Sequence, residues 1–316
     1  MQEINRDMKR NSDKIHISMR SKLGFNFYDV FVYVFCILFG IMCFYPLWYV
    51  FVGSISEYAD FAKTPIAFLP SWPPTFKYYE SIIMGQVFQR ALGLSFVKTA
   101  FGAGLSVLLT GMMAYAVSKK HVKGMTALNG MVVFTMFFSG GLIPTFLLIK
   151  GLGMYNTFWA LTLPWLMSAT NFVIMRNYFV YSVPQELEEA ASIDGANTIL
   201  IFFRIIVPIS TPTIAAVFLF DSVSQWNDWY SFLIYCDDVK LQPVVWLLRR
   251  MLINPSLASQ SADTATVLQM ADKFGYLPPL SLKFTTIIFA MLPIMLVYPF
   301  LQRYFVKGIL IGAVKG

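Results

Sequence analysis

Apolar side chains come in this chain as long uncharged runs, not as the alternating or every-third-or-fourth pattern of a soluble domain. Five runs stand clear: Val30 to Ser56, Thr99 to Ser118, Gly124 to Ile149, Gly151 to Met175 and Phe284 to Gln302. Each is of the order of the ~20 residues that a helix needs to cross a bilayer core. A sixth run begins near Pro208 and extends toward Tyr235; Asp221 and Asp228 interrupt it, and it is still counted as a span. The pattern predicts an all-α polytopic membrane protein with six transmembrane helices. The first run is longer than the apolar part of a signal peptide and lacks a small-residue cleavage site, so it is read as helix one and not as a removable leader.

The polar stretches divide the rest. Residues 1–27 form a basic tail, and residues 28–316 form the membrane domain. Lys and Arg are enriched on the cytoplasmic side of membrane proteins, most reliably in short loops. With the N-terminus inside, fourteen of the 24 basic residues fall on inside segments, and the short loop Lys119-Lys120-His121-Val122-Lys123 is the cleanest of these. Both termini are therefore predicted to be cytoplasmic. The external segments are 57–92, rich in proline and aromatic residues and expected to be ordered, and 237–283. Within the second, Leu241 to Ile253 is apolar enough to lie on or re-enter the membrane surface, and Ser256 to Thr266 is polar.

Composition agrees, with 57% apolar and 13% charged residues and a mean hydropathy of +0.61. That leaves too little polar surface for a soluble globule of this length. The formal charge of +7 belongs to residues flanking the membrane, where an anionic leaflet receives it, and this argues against nucleic acid as a partner. Cys36 and Cys43 lie seven residues apart on one helix, about 10 Å along its axis, too far to bridge. The two histidines, His16 and His121, lie on different segments and form no metal set. The chain is read as carrying no cofactor of its own.

The loop 181–208 between the fourth and fifth spans carries the most chemistry. Ser182 followed by Gln185 fits a capping box, and Pro184 with Glu186, Glu188 and Glu189 suits the positive end of a helix. That helix is expected to reach Asp194, with Gly195 in a left-handed turn and a second helix from about Asn197 to Ile206 before Pro208. Ala190 and Ala191 leave room for another surface to approach closely, and the carboxylates offer ionic contacts to a basic groove.

Glu189-Ala190-Ala191, then Gly195, Ile205 and Pro208, reproduce in spacing the cytoplasmic motif of bacterial ABC importer permeases. The chain resembles a transmembrane subunit of a type I ABC importer of the carbohydrate-uptake class. The likeness covers nearly its whole length, including Ile143-Pro144-Thr145, Trp226-Asn227-Asp228-Trp229 and the ending Lys307-Gly308 through Lys315-Gly316, which is similar to complex-oligosaccharide permeases. Val207 stands where the motif usually has Leu, an apolar exchange.

The resemblance implies alternating access between two homologous permease subunits, two ATPase subunits that bind ATP and Mg and grip the loop, and an extracytoplasmic sugar-binding protein. No phosphate-binding G-x-x-x-x-G-K-[ST] stretch occurs in the sequence. The residues expected to couple to the ATPase are Glu186, Glu188, Glu189, Ala190, Ala191, Asp194, Gly195, Ile205 and Pro208. Candidates along the substrate pathway are Asn171, Asp221, Trp226, Asn227, Asp228 and Trp229, each of which packing, a structural hydrogen bond or interfacial anchoring would also explain. Lys98, near the outer end of helix two, is read as snorkelling. The outside residues Lys63, Lys77, Lys240, Arg249 and Arg250 would suit a binding protein or an acidic sugar. A peptide or amino acid cargo, or an ion-coupled secondary transporter, remains open at this point.

Overall fold

The first apolar run folds as α1, Phe27–Ser54, in a computed structural model that describes residues 27–64, 66–119, 122–253 and 277–313. The basic tail, His16, His121, the stretch 256–266 and residues 314–316 lie outside the described residues. Phe31, Phe35 and Phe39 stack along α1 with ring centroids 6.4 and 6.2 Å apart, and all three are exposed. A helix that is apolar all round needs no protein cover where lipid is the solvent. The end of α1 is packed. A Cβ on Gly53 would lie 2.6 Å from the Phe284 ring, so only glycine permits this approach.

The segment after α1 is ordered, as its sequence predicts. Thr75 N–H donates to the Ile55 carbonyl (2.8 Å), Glu57 N–H to Ser71 Oγ (2.8 Å) and Ser71 N–H to Ser56 Oγ (3.1 Å). Both Glu57 carboxylate oxygens accept from Lys77 Nζ at 2.8 Å, at the start of α2 (Lys77–Met84). α3, Gln86–Ser118, begins well before the expected Thr99. Gln86, Gln89, Arg90 and Lys98 lower the hydropathy of its first turns without breaking the helix, because hydropathy reports residence in lipid and not helicity.

Two expected spans are bent. Gly124 to Ile149 is not one helix but α4 (Met125–Phe137) and α5 (Leu142–Gly151), set 118° apart. The break falls at Ser139-Gly140-Gly141, where Gly141 takes φ 89° and ψ 176°, a conformation that is essentially glycine-only. The fourth span is α6 (Phe158–Thr162), a 3₁₀ turn at Leu163–Trp165 containing Pro164, and α7 (Ala169–Tyr181), bent by 48°. Ser168 starts α7 by accepting from Asn171 N–H at 3.4 Å.

The loop between the fourth and fifth spans holds α8 (Gln185–Ile193) and α9 (Thr198–Ile201). α9 continues through a π turn at Phe202–Ile206 and a short turn at Val207–Ile209. An 86° bend then leads into α10 (Thr211–Asn227). α11 (Tyr230–Tyr235), α12 (Val244–Ile253) and α13 (Pro279–Ala313) follow. Among the described residues three unbroken helices are long and apolar enough to cross a membrane, and counting each bent pair as one span gives six.

α3 is the central helix and packs on α10 and α7, while α13 packs on α10, α1 and α12. α12 packs against the bundle. Val244 and Leu247 are buried against Ile82, Phe88 and Trp226, and Val244 N–H donates to Ser95 Oγ of α3 at 2.9 Å.

Candidate functional site

The bent loop is built from local signals. Ser182 does not start α8. It ends α7 instead, its N–H donating to the Tyr178 carbonyl at 2.9 Å, and Pro184 precedes α8 with no side-chain cap. The expected capping box is therefore absent, because the residue before a proline is held out of the helical region and the chain uses Ser182, Val183 and Pro184 to turn. Val183 is buried and anchors that turn. At the far end Gly195 has φ +81°, its N–H donates to the Ser192 carbonyl (3.1 Å), and Ala196 N–H reaches the Ala191 carbonyl (2.9 Å). This pairing closes a helix around a left-handed glycine. Asn197 Oδ1 then caps α9, accepting from Leu200 N–H at 2.8 Å.

The lever so formed has two faces. Glu186, Glu189, Ala190, Asp194 and Gly195 are exposed, together with Ile193, which is 86% exposed. Glu188 and Ala191 are half-buried on the inner side. Ala191 and Ile205 pack on the cluster of Tyr115, Phe179, Phe202 and Ile206, and Pro208 is exposed where α9 ends. The carboxylates are thus not equivalent: Glu188 pairs with Lys119 and accepts from Tyr115 Oη at 3.1 Å. Burial holds the Lys119 ammonium below its ordinary pKa.

The second set of predicted residues divides. Asp221 is buried in the bundle, accepting from Asn171 Nδ2 and from Ser106 Oγ, both at 2.7 Å, so these side chains tie α10, α7 and α3 together. Trp226, Asn227, Asp228 and Trp229 do not form one aromatic and polar patch. Trp226 turns inward, donating Nε1–H to the Ala290 carbonyl at 2.8 Å and meeting the Phe96 ring edge-on. Trp229 lies under the Arg249 guanidinium, 3.5 Å from its ring centroid, and Asn227 is exposed. Asp228 sits at the break between α10 and α11. Its Oδ2 is 2.6 Å from Lys98 Nζ, and its Oδ1 accepts from Ser231 N–H at 3.0 Å.

Lys98 therefore does not snorkel. It is 1% exposed, and its stem and ammonium run into the bundle to a carboxylate 130 residues away. The sequence does carry a signal for this. Ser95, Lys98, Gly102, Ser106 and Thr110 recur every three or four residues, and that spacing puts them on one face of α3; all five are buried. Of the basic residues predicted to lie outside, Lys63 pairs with Asp60, Lys77 with Glu57, and Arg250 reaches Gln242 Oε1 at 3.4 Å. Among the described residues no group of acidic, His or Cys side chains could hold a metal ion.

A helical membrane bundle with a bent, acid-faced lever between its fourth and fifth spans defines a class of transport permease. The chain belongs to the family of binding-protein-dependent transport system inner membrane components, whose model matches residues 18–311. Among its relatives, Protein LplC of Bacillus subtilis is 38% identical over 96% of this chain and 99% of that protein. The polygalacturonan/rhamnogalacturonan transport system permease protein YtcP of the same bacterium is 36% identical over 92% and 98%. A crystal structure of a bacterial ABC transporter involved in import of the acidic polysaccharide alginate contains a chain that superposes with a TM-score of 0.79. That chain is 25% identical, and the match covers 90% of this chain and 98% of the other.

Proposed function

We propose that this chain is a permease subunit of an ATP-driven importer that carries an oligosaccharide across the bacterial cytoplasmic membrane by alternating access. The observation that carries the reading is the exposed face of the lever: Glu186, Glu189, Ala190, Ile193, Asp194 and Gly195, small or acidic around one apolar knob, held by a left-handed turn on buried supports. Such a face fits a basic groove on a partner. Two ATPase subunits, binding ATP and Mg, would hold it and a matching lever on a second, homologous permease. Their closure would pull the levers together and swing the spans as rigid bodies. An extracytoplasmic binding protein delivers the cargo, as the family's description implies, and both termini face the cytoplasm with the lever.

The carbohydrate assignment rests on the relatives' named cargoes, polygalacturonan and rhamnogalacturonan for one and alginate for the other. Of the predicted set, Asn227 is exposed at the end of α10, which supports a sugar contact there, while the Trp229 ring is already covered on one face by Arg249. Asn171 and Asp221 contribute by holding three helices in register.

The test is uptake of labelled oligogalacturonides by cells carrying the assembled importer. Glu189→Lys and Gly195→Pro are each expected to abolish ATP-driven uptake while the protein stays at normal level in the membrane. Unchanged uptake in both would refute the lever, and retained uptake of peptides with none of sugars would refute the cargo.

A further inference from the structure

The Glu188 carboxylate of α8 points back toward the bundle, unlike Glu186 and Glu189 of the same helix. Three contacts meet there. Lys119, the residue that ends α3, forms an ion pair with Glu188; Tyr115, one turn earlier on α3, donates its hydroxyl to the same oxygen at 3.1 Å; and the Lys119 ammonium lies 4.4 Å from the centroid of the Tyr115 ring. The ring is itself fixed. Tyr115 is 5% exposed and packs against Phe179 of α7 edge-on and against Phe202 of the π turn. The Lys119 and Glu188 side chains are only 20% and 16% exposed, so the pair is shielded from bulk water and loses less to screening than a surface pair.

We propose that Glu188 is a positioning residue that fastens the lever to the end of α3 through Lys119 and Tyr115, so that displacement of α8 moves the central helix directly. By chain connection alone the lever pulls on α7 at Val183 and on α9 at Asn197, and both links are turns. The clamp adds a third link. It leads into the helix whose buried face holds Ser106 on Asp221 and Lys98 on Asp228. Glu188 is then used within the subunit, and the outward carboxylates Glu186 and Glu189 are left for the partner. This inference rests on the lever reading above.

The test uses the full chain with Cys36, Cys43 and Cys236 replaced by serine and spin labels at Ala116→Cys and Ile193→Cys, both exposed positions. The α3–α8 distance distribution is expected to be narrow and single in this background. Glu188→Ala should spread it, and Tyr115→Phe, which keeps the packed ring, should spread it partly. Exchanging the charges, Glu188→Lys with Lys119→Glu, should restore it. In the importer assembled in vesicles, Glu188→Ala should cut uptake per ATP hydrolysed by about five-fold or more, and the charge exchange should recover it. An unaltered distribution in both Glu188→Ala and Tyr115→Phe overturns the clamp, as does a charge exchange that recovers neither readout. The distance measurement needs no ATPase. A clamp seen there, with uptake that does not depend on ATP in the unmutated importer, would leave the clamp standing and remove the importer reading.

Discussion

At the scale of single residues, four positions take their conformation or charge from the fold. Gly195, at φ +81°, would resist any side chain: a left-handed non-glycine residue costs about 1–2 kcal/mol, so Gly195→Ala should weaken the lever turn and Gly195→Pro should destroy it. Lys98 is buried and pairs with the half-buried Asp228, and removing one partner of a fully buried pair costs about 3–5 kcal/mol, an upper bound here. Lys98→Met should therefore lower the unfolding temperature in detergent clearly. Asp228→Asn added to it should recover much of the loss, since Asn keeps the acceptor for Ser231 N–H. Outside the membrane, the hydrogen bonds to Glu57 raise the Lys77 pKa above its ordinary 10.5. A raised lysine contributes stability that is fully present below the unfolded value and lost as pH rises through the folded one. The segment should thus hold up to the ordinary lysine value of 10.5 and loosen as pH rises above it, so that alkaline pH speeds proteolysis there more in the unmutated protein than in Lys77→Met. Glycine at the lever was legible because its neighbours already predicted a helix end. The Lys98 pair was not, because a lysine near a span end looks the same in sequence whether it reaches out to water or across to a carboxylate on another helix.

Elements were legible where one signal sufficed. The apolar run of α1, the helix starting near Asn197 and the order of the segment before α2 follow from composition and local chemistry. The breaks were not legible from hydropathy, which is blind to direction: Gly140 and Gly141 keep a run apolar while turning it by 118°. The false capping box failed for a similar reason, since Ser182 serves equally to close one helix or open the next and Pro184 decided between them. Close approach is the remaining element-scale feature. Because a Cβ at Gly53 would strike Phe284, Gly53→Val should push α1 away from α13. With the three native cysteines replaced by serine and Phe284 left in place, the distance between spin labels at Met42→Cys and Leu292→Cys, both exposed positions, should then increase, and an unchanged distance would show that the ring simply rotates aside.

For the whole molecule, the central arrangement is one long helix, α3, joined to α10 and α7 by buried polar contacts at several depths and to the lever at its end. That assembly depends on pairs far apart in sequence, and so it was hidden from a reading along the chain, although the lever's motif already pointed to the family. Membrane sidedness is the prediction that belongs to this scale, because it fixes which partners the lever can meet. Ile193, exposed at the centre of the outward face, reports on it. With the three native cysteines replaced by serine, Ile193→Cys should resist a membrane-impermeant maleimide added to intact cells, react once the membrane is opened, and crosslink to an ATP-hydrolysing subunit. Labelling from outside intact cells, or no crosslink to such a subunit in the assembled complex, would contradict the account.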